Sequence, residues 1–189
     1  MSFFTTGLKE LERSYRALGN ATAKAEARAV RRVGTTIATN QSRAIATVVN
    51  LKVSTIRGAI QIKAQPTPDK PQVVFEVRQK GIPLKDYGAS QIRSGVSVRV
   101  LKGGSRALLR AAFALRKAGS NIFGRAGVGS KNYGSPHVGR GPIVKLWGPS
   151  VLSQYEKPEI QQVGDDTWAQ RLPIELDRET NFALKQAGF

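Results

Sequence analysis

Three places in this 189-residue chain carry residue types that could do chemistry. The first is Asp69, followed by Glu76-Val77-Arg78 on a segment that reads as a strand. An aspartate followed by Glu-x-Lys holds a divalent metal and lets an attacking water be activated, the chemistry of metal-dependent nucleases. Here the lysine is Arg78, whose guanidinium does not deprotonate and cannot serve as a base. The plainer reading is a proline-rich turn and a strand with ordinary charges. The second place is Gly119–Ala126, GSNIFGRA, which has the outline of a phosphate-binding loop. That motif works through a lysine and a magnesium-binding hydroxyl, and Arg125 and Ala126 stand where those should be. The third is His137, the one histidine, in a Ser-Pro-His-Val stretch. With no cysteine, a zinc site there would need carboxylates, which are sparse nearby. Gly124, Gly127 and Gly129 lack dinucleotide-binding spacing. No catalytic, metal-ligating or cofactor-binding residue is assigned. The expectation is a protein that is not an enzyme and needs no cofactor.

What remains is charge. The chain carries +17, far enough from zero to repel itself unless a polyanion or an acidic partner is near. The distribution is uneven: residues 1–65 sum to +8, residues 66–147 to +12 and residues 148–189 to −3. Such asymmetry points to different partners at different faces. The amino terminus lacks a cationic stretch followed by a long apolar run, so no signal peptide is expected. No run of apolar residues is long enough to span a membrane. A chain made and kept in a cytoplasm-like compartment is the expectation.

The elements that would position these charges are legible in outline. Leu8, Leu11, Tyr15 and Leu18 share a helical face, and Gly19-Asn20 is expected to end that helix. A second, alanine-rich helix runs from Ala21 to about Asn50, with Val30, Val33, Ile37, Ala44 and Val48 on one stripe. Arg28, Arg31 and Arg32 cluster in its first half. A helix of that length exceeds what one small core needs. It is a solvated amphipathic helix, an arm packed on a neighbouring subunit, or a helix laid on nucleic acid. Gly34 could let another chain approach closely.

Ser54 is expected to start a short helix through Ile60, and Ile60–Ala64 and Val73–Arg78 read as strands around a proline-rich loop. Gly95–Leu101 alternates as a strand, Lys102–Ser105 turns it, and Ala107–Leu115 is ambiguous between strand and helix. Ile122–Arg125 and Ile143–Trp147 are further strand segments. Between them, Gly124–Gly141 holds six glycines with Arg125, Lys131 and Arg140 and no acid, a long basic loop. Such loops are functional or disordered. After Gly148-Pro149-Ser150 a helix begins, and another runs from Asp165 to Gln186, kinked or restarted at Pro173. The fold expected is α+β: a small, mostly antiparallel sheet flanked by a long N-terminal helix and a C-terminal helix. One domain is expected, with a helical arm (1–60), a basic β-rich centre (61–148) and a C-terminal helical segment (149–189).

The candidate residues facing DNA or a partner are Arg28, Arg31, Arg32, Lys102, Arg106, Arg110, Arg116, Lys117, Arg125, Lys131 and Arg140. Contacts from such residues to phosphates would be salt-dependent and blind to sequence. No RNA- or DNA-reading module signature is present. The candidates for a subunit interface are Val30, Val33, Ile37, Glu159, Asp165 and Asp166.

Several stretches taken together resemble the minor tail protein Z family of tailed bacteriophages, of the lambda type. They are AVRRVGTTIAT and LKVSTIRGAI, then GIPLKDYGA, GVSVRVLKG, Ala112-Phe113 and IFGR, then PIVKLWGPSV, RLPIEL and FAL. Their order holds over nearly the whole chain. Two departures are local: the proline-glycine usual before the Ala-Phe pair is replaced by Arg110-Ala111, and the glycine-rich insertion Gly124–Gly141 is long. The resemblance implies a structural virion protein, a minor tail or tail-completion protein at the head-proximal end of the tail. It implies a homo-oligomeric ring, six-fold by analogy, that helps join tail to head around the DNA path. The partners implied are other copies of itself, the tail terminator and the head–tail connector, with genomic DNA in the channel and no membrane. The place implied is the virion neck, and the host cytoplasm during assembly. A sequence-nonspecific nucleic-acid-binding protein is the alternative, and a metal-dependent nuclease a more distant one.

Overall fold

The structure is a computed structural model in which residues 3–115, 119–125 and 142–186 are described, with side chains from residue 18 onward. It is α+β, with small antiparallel sheets and long helices near both ends. The first helix, α1, is Phe3–Val48. It passes through Gly19-Asn20 without a break, so the two expected helices are one. A single glycine costs only about 1 kcal/mol against alanine, which forty-six helical residues absorb. The last helix, α4 (Pro158–Gln186), likewise runs through Pro173. The proline removes one backbone donor from the ladder, and α4 is continuous across it all the same. Two short helices, α2 (Val53–Ala59) and α3 (Leu152–Tyr155), lie between.

The strands are β1 (Ile60–Ala64), β2 (Val74–Val77), β3 (Ser90–Ile92), β4 (Gly95–Val98), β5 (Ala107–Leu109), β6 (Ala112–Leu115), β7 (Asn121–Arg125) and β8 (Ile143–Lys145). They form a two-stranded sheet β1-β2 and two three-stranded sheets, β3-β4-β5 and β6-β7-β8. The ambiguous apolar run Ala107–Leu115 is two strands in different sheets, separated at Arg110-Ala111. Gly95 holds φ 137°, and a Cβ there would collide with the carbonyl of Leu109 across the sheet. Only glycine turns β3 into β4 at that spot.

Packing gathers the chain into two compact units. The first comprises residues 1–40, 61–76 and 162–189. Its core holds Ala25, Ala29, Val30, Val33, Ile37 and Ala38 from α1, with Ala183 from α4. Gly34 lets Val73 of the same chain close in, a Cβ there lying 3.0 Å from its methyl. The second unit comprises residues 41–60 and 77–161. Its core takes Ile45, Val49, Leu51, Ile56 and Ile60 together with Tyr87, Val96, Val98, Ile122 and Val151. Asn50 ties this unit together: its side-chain amide donates to the carbonyls of Tyr87 (2.9 Å) and Arg99 (3.1 Å).

Candidate partner-facing surfaces

In the first unit the cationic cluster of α1 is largely engaged within the chain. Arg28 Nε lies 2.7 Å from Glu179 Oε2, and Arg32 lies 2.9 Å from Glu179 Oε1 and 3.8 Å from Glu175. Glu179 is buried, 3% exposed, so two guanidiniums are what make its charge tolerable there. The Arg28 guanidinium also stands over the Phe182 ring at 5.7 Å. Arg31 donates to the carbonyl of Pro66 at 3.4 Å. Arg28, Arg31 and Arg32, expected to face DNA or a partner, thus have partners on their own chain. Val30, Val33 and Ile37, expected at a subunit interface, are buried inside the unit. Periodicity marks an apolar stripe but does not say whose core it enters. Asp165 and Asp166 are exposed on α4, Asp166 accepting only from Gln162.

The second unit carries the basic centre. Lys102, Arg110 and Arg125 are exposed. Arg106, although exposed, is a clasp across β3, β4 and β5. It donates to Ser97 Oγ (2.8 Å), the Gly88 carbonyl (3.0 Å) and Ser90 Oγ (3.3 Å). Glu159, at the start of α4, is exposed. Arg116, Lys117, Lys131, Arg140 and His137 lie outside the described residues, as does most of the glycine-rich loop. The strands that bracket that loop do pair, β7 with β8, closing at Arg125↔Ile143.

Two stretches that carried the family resemblance meet in this unit. Leu84 N–H donates to the Leu146 carbonyl (3.2 Å), and Gly148 N–H to the Ile82 carbonyl (2.8 Å). The Tyr87 hydroxyl donates to the Pro149 carbonyl at 2.7 Å. Burial, with Asp86 adding to it, pushes the Tyr87 phenol up to about 12. Gly81 and Gly148 permit the approach: a Cβ at Gly81 would sit 2.6 Å from the Gly148 carbonyl oxygen, and one at Gly148 would sit 2.5 Å from the Tyr87 ring. This zipper frames a groove of about 360 Å³ whose lining includes Ala59, Arg78, Lys80, Ile82, Pro83 and Trp147. The Trp147 indole takes two ammonium groups, Lys80 at 4.9 Å and Lys145 at 4.5 Å from its centroid. Lys145 and Trp147 are two apart and share a strand face, so the sequence held half of this arrangement; the pairing with Lys80 is tertiary.

The nuclease-like residues are not assembled for metal. Glu76 pairs with Lys63 at 3.6 Å across the β1-β2 sheet, both being exposed. Among the described residues no group of three His, Cys, Asp or Glu side chains could hold a metal ion. Nor is any described helix long and apolar enough to cross a membrane.

Compared with known families, residues 6–187 match the family model described as Prophage minor tail protein Z. Comparison with curated proteins and with solved structures gave no match.

Proposed function

The chain belongs to the prophage minor tail protein Z family, and on that premise we propose that it completes the head-proximal end of a phage tail. Membership of a tail-protein family makes it a structural component of the virion that contacts other virion proteins. The finer reading is a closed homo-oligomeric ring, probed first as a hexamer, that meets the tail terminator and the head–tail connector around the DNA path. The observation that carries it is the colinear match over residues 6–187, nearly the whole chain. The basic second unit, with Lys102, Arg110 and Arg125 exposed, supports a surface turned toward DNA or acidic neighbours. Rings are built from heterologous contacts that close. Exposed Glu159, Asp165 and Asp166 suit the acidic side of such a contact.

The test is a phage genome lacking this gene, with electron microscopy of the products. Separate filled heads and tails that fail to join, restored by the parent chain, are the expected result. Charge reversal at Glu159, Asp165 and Asp166 together should weaken restoration. Normal joined particles without the gene would overturn the reading. The charge of +17 favours one second reading, nonspecific duplex binding. In that case the isolated chain binds duplex with a steep salt slope and does not enter particles.

A further inference from the structure

The groove beside Trp147 is assigned nothing by the family match, and its chemistry is specific. Two cations, Arg78 and Lys80, line it beside one half-buried indole, with Asp86 the single acid on the lining, and a third cation, Lys145, stands over the same ring from outside the lining. Among the described residues none of these three cations has an ion-pair partner. Placing two ammonium groups on one ring uses its electron-rich face, but it also crowds like charge, which a carboxylate from outside would relieve. The rest of the chain cannot easily supply that counter-charge, since residues 66–147 alone carry +12. The walls are apolar as well: Ala59, Ile82 and Pro83 line the groove beside the indole. Tryptophan in a desolvated pocket is the type of side chain on which protein interfaces anchor.

We propose that this groove binds an acidic segment of another protein. A carboxylate lies against Arg78 and Lys80, and a neighbouring apolar side chain packs on Trp147, Ile82 and Pro83. Duplex DNA fits less well. Its phosphates stand on the outside of a broad cylinder and are met by cations projecting from a surface, whereas a concavity of about 360 Å³ with apolar walls admits side chains.

Trp168→Phe leaves Trp147 as the sole indole, and its emission then reports on the groove. The probes are a short acetylated peptide alternating glutamate and leucine, its glutamine counterpart, and a duplex oligonucleotide. The glutamate peptide should shift Trp147 emission saturably, and the glutamine peptide should not. Combined Arg78→Gln and Lys80→Gln should weaken binding by about tenfold or more, while Arg93→Gln, an exposed charge elsewhere in the unit, should leave it unchanged. Unaltered thermal melting of the variants shows that the fold is kept. The proposal is overturned if the glutamate peptide leaves the emission unchanged or if the double variant binds like its parent. It is equally overturned if duplex DNA produces the shift and the peptide cannot displace it.

Discussion

Gly148 shows how much a single position decides in the second unit. Its missing side chain is the space that the Tyr87 ring occupies, 2.5 Å from where a Cβ would stand. Gly148→Ala forces the ring or the backbone aside and should cost about 1–3 kcal/mol, read as a lower denaturant midpoint. Tyr87 supplies a second prediction. Its phenol is raised from 10.0 to about 12 because the buried, protonated form is favoured in the fold. Burial raises the phenol of Tyr155 in the same direction, against hydrogen bonds with Gln41 and Gln161. A raised acid keeps its stabilising effect below the unfolded-state value and loses it as pH climbs toward the folded-state value. Stability should therefore fall between pH 10 and about 12, and Tyr87→Phe should flatten that fall. The same variant loses the bond to the Pro149 carbonyl and about 1 kcal/mol at neutral pH. At this scale the sequence displayed the residues but not their roles. Arg106 reads as one more surface cation until its contacts with Ser97, Ser90 and Gly88 are seen.

Among the elements, the strands were the most legible. Ile60–Ala64 alternates and is β1; the predicted Val73–Arg78 and Ile122–Arg125 are β2 and β7 within a residue or so at each end. Period-two patterning survives because each strand half-buries one face. Ser90–Ile92 escaped notice because all three residues are exposed and carry no alternation. Gly19 and Pro173 are local signals that predict helix ends, yet both helices run through them, because one weak position costs a long helix little. What the helical wheel could not reveal is that α1 and α4 hold each other through Glu179, whose acceptors take Arg28 and Arg32. Glu179→Gln keeps the volume and removes the charge. Because the two arginines are 39% and 48% exposed, they can turn to water, which limits the loss to about 1.5–3 kcal/mol. The check is denaturant unfolding at low and high salt, where the difference from the parent chain should shrink only modestly, since a buried acceptor is poorly screened.

For the molecule as a whole, composition was the best guide and contiguity the worst. The excess of +12 over residues 66–147 falls mostly within the ranges of the second unit. Each of the two units is discontinuous in sequence. Residues 61–76 pack with the start of α1 and the bulk of α4, and residues 41–60 pack with the central strands. Hydrophobic patterning identifies faces but not which distant faces meet. One feature of this organisation bears on what the protein can carry. The β7–β8 ladder closes at Arg125↔Ile143, which sets those two residues side by side on a paired frame. The entropy of closing a loop grows only with the logarithm of its length, about 0.6 kcal/mol per doubling. That frame should therefore accept a foreign peptide spliced between the two strands at little further entropic cost, and thermal melting of such a chain close to the parent's is the expected outcome.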